Sequence, residues 1–290
     1  MEKYKQAGKI CADTKNEVLK MIKPGVKILE VAELVDNFIR NSGAKTAFPV
    51  NISINEIAAH YTPTVKDETV VSEGDLVKVD IGVHVDGYIG DMAFTYCSKQ
   101  NPLVECVQKC LDSAIALAKP GTKVSEIGET VETTAKTAGL GVIVNLTGHG
   151  LSQYNFHAPP SIPNVKNNSS HVLEDGEVIA IEPFVCKGNG FVKEGGTAEI
   201  YRYITDRPVR LTEARKMLEL IKENYQSFPF AKRWLSKEFS PIKTALALRQ
   251  LESAGALENY PPLREMEGRP IAQAEDTVIV SEKPIITTRG

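Results

Sequence analysis

The chain has 290 residues, 42% of them apolar and 24% charged, which is enough for a packed core and excludes a disordered chain. Lysine and arginine total 34 against 37 aspartates and glutamates, a net charge of −3 with no basic run, which argues against nucleic acid or an anionic membrane as principal partner. Five cysteines without CxxC pairing exclude a zinc ribbon and a disulfide framework, and with no bilayer-length apolar run and no apolar signal core at the start, a cytoplasmic protein with reduced thiols is expected.

In chain order, the pattern predicts a helix over 3–22, then Lys23-Pro24-Gly25-Val26-Lys27, then a second helix. Val31, Leu34, Val35, Phe38 and Ile39 give that helix an apolar stripe, and Gly43 closes it. The same parts return later. A helix over 102–118 leads into Lys119-Pro120-Gly121-Thr122-Lys123 and a helix closed by Gly139. Val71 to Asp80 parallels Val172 to Glu182, and His60-Tyr61-Thr62-Pro63 parallels His157-Ala158-Pro159-Pro160. A duplicated unit of this kind packs as two halves about a pseudo-twofold axis, which brings equivalent residues toward one cleft. We therefore expect one domain over 1–290. The segment 206–262 breaks the repeat with helical patterns over 212–225, 230–235 and 241–254, and reads as a helical insertion. Strand character resumes over 271–280.

Within 77–85, valines and Ile81 alternate with Lys78, Asp80, Gly82 and His84, so Asp80 faces away from the apolar side. Asp86-Gly87 signals a two-residue type I′ hairpin, a register that sets residue 85 opposite 88, 80 opposite 93 and 82 opposite 91. Asp80 and Asp91 then become diagonal neighbours, roughly 7–8 Å apart at the backbone. Taken alone, these two read more readily as solvent-facing strand residues. Glu182, however, sits at the end of the apolar run Val178-Ile179-Ala180-Ile181, and Glu275 stands near Val278-Ile279-Val280. Four carboxylates embedded in strands with few basic neighbours point to a divalent metal. His149, flanked by Gly148 and Gly150, and His157 compete as further ligands, whereas His84 and His171 read as structural.

These residues resemble a known family. Ala47-Phe48-Pro49-Val50-Asn51, Ala58-Ala59-His60-Tyr61-Thr62-Pro63, Asp80-Ile81-Gly82, Gly90-Asp91, Leu146-Thr147-Gly148-His149, Ile181-Glu182-Pro183-Phe184 and Gln273-Ala274-Glu275 look like methionine aminopeptidase, over nearly the whole chain. The long interval between Glu182 and Glu275 resembles the type 2 enzymes, and the lack of a charged N-terminal extension is similar to the archaeal members. The resemblance implies an α+β fold, the duplicated pseudo-twofold "pita-bread", with an antiparallel curved sheet, outer helices and a helical insertion. It implies two divalent ions (Co, Mn, Fe or Zn) held by Asp80, Asp91, His149, Glu182 and Glu275, with Asp91 and Glu275 bridging. It implies removal of the N-terminal methionine from nascent polypeptides with a small second residue preferred, by attack of a hydroxide held between the ions. Glu182 would also shuttle the proton, and His60 and His157 would contact substrate as catalytic groups. Phe48, Tyr260 and Phe156 would line the methionine pocket. A monomer without nucleic-acid or membrane partners is expected.

The chain departs from the family's usual Phe-Glu-His-Thr around the last ligand, with Ala274-Glu275-Asp276-Thr277, and carries Pro159 where a glycine is usual. An X-Pro peptidase is expected to need a sizeable domain before the catalytic part, and too few residues precede Phe48 to form one. A binding protein that has lost the chemistry is disfavoured by five intact ligand positions.

Overall fold

The computed structural model describes every residue except 189, 237 and 290. Helices α1 (Glu2–Met21) and α2 (Ile28–Asn41) lie against the first half of the sheet, and α3 (Pro102–Ile115) and α4 (Val124–Thr137) take the same places in the second half. The stripe on α2 is what docks it, with Val31, Ala32, Val35 and Ile39 all fully buried. α3 starts where Asn101 accepts a bond from the Leu103 amide at 3.0 Å, with Pro102 in the first turn.

The duplication extends to individual backbone bonds. Gly25 donates to the Val71 carbonyl at 2.8 Å and Gly121 to that of Leu173 at 2.8 Å, while Ile28 bonds Thr69 and Val124 bonds His171, each at 3.1 Å. Both glycines have a left-handed backbone, φ +95° and +89°, which explains why the Lys-Pro-Gly turn recurs in the sequence.

In the first half, Val77–Val85 pairs with Tyr88–Tyr96, Asn51–Ile54 and Lys45–Thr46. The hairpin register is the one its turn dictates: Val85 faces Tyr88, Asp80 faces Ala93 and Gly82 faces Asp91. Asp86 and Gly87 both have positive φ, +50° and +85°, as a type I′ turn requires. In the second half, Thr147–Ser152, Asn155–Pro163, Val178–Ile181, Asp276–Ile279 and Ile285–Ile286 form a five-stranded sheet. All strand pairs among the described residues are antiparallel.

The two halves join through Ala93 and Glu275, which exchange backbone bonds at 2.9 and 3.2 Å. The strand expected over 271–280 is broken there, into Ile271–Gln273 and Asp276–Ile279, because its two parts belong to different sheets. Pro159 lies inside the strand Asn155–Pro163 and not in a loop.

Between 206 and 262 run α5 (Thr212–Tyr225), α6 (Lys232–Leu235) and α7 (Pro241–Ser253), around their own core of Met217, Ile221, Phe230 and Leu251. The segment is not wholly helical. Phe230–Ala231, expected as helix, is a strand beside Ile200–Tyr203, which Leu257–Tyr260 flanks on its other edge. Packing decides this: the Phe230 ring stacks on Tyr225 at 5.1 Å and on Tyr201 at 6.2 Å. Among the described residues, no helix is long and apolar enough to cross a membrane.

Candidate metal centre

All five donor residues face one cavity of about 240 Å³ at the junction of the two halves. Each arrives by a local device. The hairpin turn sets Asp80 and Asp91 on one face, the end of Val178–Ile181 delivers Glu182, and the break between sheets delivers Glu275. His149 lies between two glycines that let strands close in: a Cβ on Gly148 would sit 2.3 Å from the Ala180 carbonyl, and one on Gly150 2.1 Å from that of Pro159.

Asp91, His149 and Glu275 offer ligand atoms within 4.8 Å of one another. His149 Nε2 is 3.7 Å from Asp91 Oδ2 and 3.6 Å from Glu182 Oε1. Its Nδ1 lies 3.2 Å from the Gly150 carbonyl, a bond that, donated from Nδ1, leaves the Nε2 lone pair aimed at the carboxylates. Gln273 Nε2 donates to Glu275 Oε2 at 3.4 Å.

The electrostatics of this cluster are unbalanced. Burial pushes the Asp80 carboxyl up to about 7, and burial together with the charge of its neighbours holds Asp91, Glu182 and Glu275 well above the usual carboxylate range. Burial lowers His149 to about 4, so its imidazole is neutral and free to ligate. Asp80 Oδ1 and Asp91 Oδ1 are buried without a hydrogen-bond partner among the described residues. Two orphaned acceptors in a cage of four carboxylates and one imidazole are what a divalent cation satisfies, and the oxygen-rich donor set fits Mn, Fe, Co or Zn.

The other sequence-predicted residues line the same cavity: His60, His157, Phe48, Phe156 and Tyr260. Phe48 and Phe156 are buried with ring centroids 6.1 Å apart, and His157 packs on Phe156 at 4.0 Å and on His149 at 4.5 Å. Tyr260 meets His60 edge-on at 5.5 Å. Burial lowers His60 to about 4, opposed by the Pro261 carbonyl that faces its ring. His84 is structural, stacked on Phe228 at 4.4 Å, and His171 bonds Glu177 at 3.0 Å.

Three supporting residues escaped the sequence reading. Asn51 Oδ1 accepts the His60 amide at 2.6 Å, Thr277 exchanges two 2.8 Å bonds with the backbone of Asp91, and Gln273 donates to Glu275. Only Gln273 carries a signal, its i, i+2 spacing from Glu275 on an extended segment.

A duplicated α+β scaffold whose seam holds buried carboxylates and a neutral histidine beside an apolar pocket defines a metal-dependent hydrolase. Residues 2–282 match the pattern of metallopeptidase family M24, and the chain belongs to that family, whose chemistry uses divalent metal. It is 48% identical to a methionine aminopeptidase of Thermococcus onnurineus, across 98% of this chain and 97% of that one. A solved methionine aminopeptidase of Thermotoga maritima superposes with a TM-score of 0.70 at 25% identity, covering 100% of this chain and 96% of the other. The structure of a thermophilic Arx1 shares the fold, with a TM-score of 0.86 at 18% identity over 100% of this chain and 90% of that one.

Proposed function

We propose that the protein is a methionyl aminopeptidase that removes the N-terminal methionine from nascent proteins and peptides, preferring a small second residue. One observation carries the reading: the five donors, two histidines and an apolar wall meet in a single cavity. Asp80, Asp91, His149, Glu182 and Glu275 would hold two divalent ions. Such ions supply Lewis acidity to the scissile carbonyl and bring the pKa of a water toward neutrality.

The chain's own groups do the rest. Glu182 takes a proton on a carboxylate oxygen from the attacking water and delivers it to the departing amine, from a place on the cavity wall 3.6 Å from His149 Nε2. His60 is neutral, and a ring nitrogen not engaged by Pro261 accepts from the scissile amide N–H. His157, at the open side of the cavity, donates to the oxygen of the tetrahedral centre. Phe48, Phe156 and Tyr260 enclose the unbranched methionine side chain.

The five free cysteines agree with a reducing, cytoplasmic setting. We read 1–290 as one catalytic domain with 206–262 inserted in it, acting as a monomer. The test is turnover of Met-Gly-Ser against Ala-Pro peptides after dialysis against chelator, with Mn, Fe, Co and Zn added singly. Metal-restored release of methionine is expected. Hydrolysis of the Ala-Pro peptides alone would replace this reading with an X-Pro activity, and no turnover with any metal would leave a binding protein.

A further inference from the structure

From its sequence, the segment 206–262 could be a lid, a specificity wall or inert packing. Its contacts argue for something more specific. In α6, the Arg233 side chain is only 5% exposed and reaches two elements at once. Its Nη2 donates to Asp36 Oδ2 of α2 at 2.8 Å, and its Nη1 donates to Thr62 Oγ1. Trp234 Nε1 donates to the same Asp36 oxygen at 2.7 Å. The insertion is therefore docked by Asp36, and one arm of the guanidinium is left for the loop that carries His60.

That loop needs holding. His60 has φ +63°, a left-handed backbone that a residue with a side chain keeps only where its surroundings over-determine it. Asn51 Oδ1 takes its amide on one side, and Thr62, 2% exposed and two residues on, is tied to Arg233 on the other. At the far end of the insertion, Tyr260 stands edge-on to the His60 ring and the Pro261 carbonyl faces it. The middle and the far end of the insertion thus bear on one imidazole.

We infer that Arg233 is a positioning residue: through Thr62 it fixes the backbone of His60, and with it the direction in which the imidazole enters the cavity. The inference rests on the reading of His60 as the group that meets the scissile amide.

Thr62→Val separates this role from simple docking, because it removes the bond to the loop and leaves the Asp36, Arg233 and Trp234 bonds in place. Thr62→Val is expected to lower kcat on Met-Gly-Ser about tenfold, the scale of a small misplacement of a reacting group, with KM within about twofold. Metal content is expected to stay at the wild-type value, and the thermal midpoint to fall modestly, since Arg233 Nη1 is left buried without its acceptor, and to return with Thr62→Ser. Thr62→Ser, which restores the hydroxyl, is expected to recover wild-type kcat, and Arg233→Lys, which keeps the charge beside Asp36 and loses the fork, to fall with Thr62→Val. Wild-type kcat in Thr62→Val beside a disabled His60→Ala overturns the inference alone. Wild-type kcat in His60→Ala overturns both the inference and the assignment of His60.

Discussion

Asp276 puts a fifth carboxylate next to the four in the cage, at a position where the family pattern has histidine. Its charge is answered locally. Oδ2 accepts from Arg289 Nε at 2.6 Å and Oδ1 from Thr288 Oγ1 at 2.7 Å, and Arg289 Nη2 continues to Asp112 on α3 at 2.7 Å. The loss of an ion here falls hardest on the protein without metal, whose remaining carboxylates have nothing else to balance them. Arg289→Ala is expected to cost about 1–2 kcal/mol, below the 3–5 typical of fully buried pairs because Arg289 is 39% exposed. Calorimetry should show a larger drop in melting temperature for the chelated protein than for the metal-loaded one, and Asp276→Asn should reverse it. Equal drops in both forms would mean that Arg289 only packs. The four carboxylates drew notice in the sequence only as a group, embedded in strands with few basic neighbours, while His149 was marked by its flanking glycines and the full donor set by the family resemblance. Arg289 drew none, because nothing local marks which distant acid an exposed-looking arginine will meet.

Among the elements, the hairpin from Val77 to Tyr96 shows how a small residue makes room for the site. Gly82 faces Asp91, and a Cβ there would lie 2.3 Å from Phe48 Cε1. Gly82→Ala should push the Phe48 ring out of the pocket proposed for methionine, raise KM for Met-Gly-Ser severalfold and cost about 1–3 kcal/mol of stability, the usual price of overpacking. Steady-state kinetics with a melting curve check it, and an unchanged KM would remove Phe48 from the pocket wall. The hairpin's register was legible because two turn residues, Asp86 and Gly87, decide it. The sheet in the insertion was not, because the two-residue strand Phe230–Ala231 has no periodicity and its partner Tyr201 lies far back in the chain. The break at Glu275 was hidden for a related reason: 271–280 reads as one extended segment, and only the pairing partners reveal two sheets.

For the whole molecule, the seam is held apart by charge unless something neutralises it, and pH should expose this. Asp80, Asp91, Glu182 and Glu275 have folded-state pKa values above their unfolded ones, so the folded form binds more protons and their contribution to stability is lost as pH rises. The histidines at positions 60, 84, 149 and 157 have lowered values, so their contribution runs the other way, but only below their ordinary 6.5. Above 6.5 the histidines are neutral in both states. Lys78, whose Nζ is buried against the carbonyls of Asn55 and Ile271 and drawn down to about 7, is then the one buried cation among these groups that gains stability with rising pH, against four carboxylates. The chelated protein should therefore melt at progressively lower temperature from pH 6.5 to 8. With a divalent metal added, the same groups bind cation in place of protons, and the slope should vanish or change sign, because deprotonation then strengthens binding. Differential scanning fluorimetry with and without Mn across that window tests it. Parallel curves for the two forms would mean that the four carboxylates do not act as one cation-binding unit.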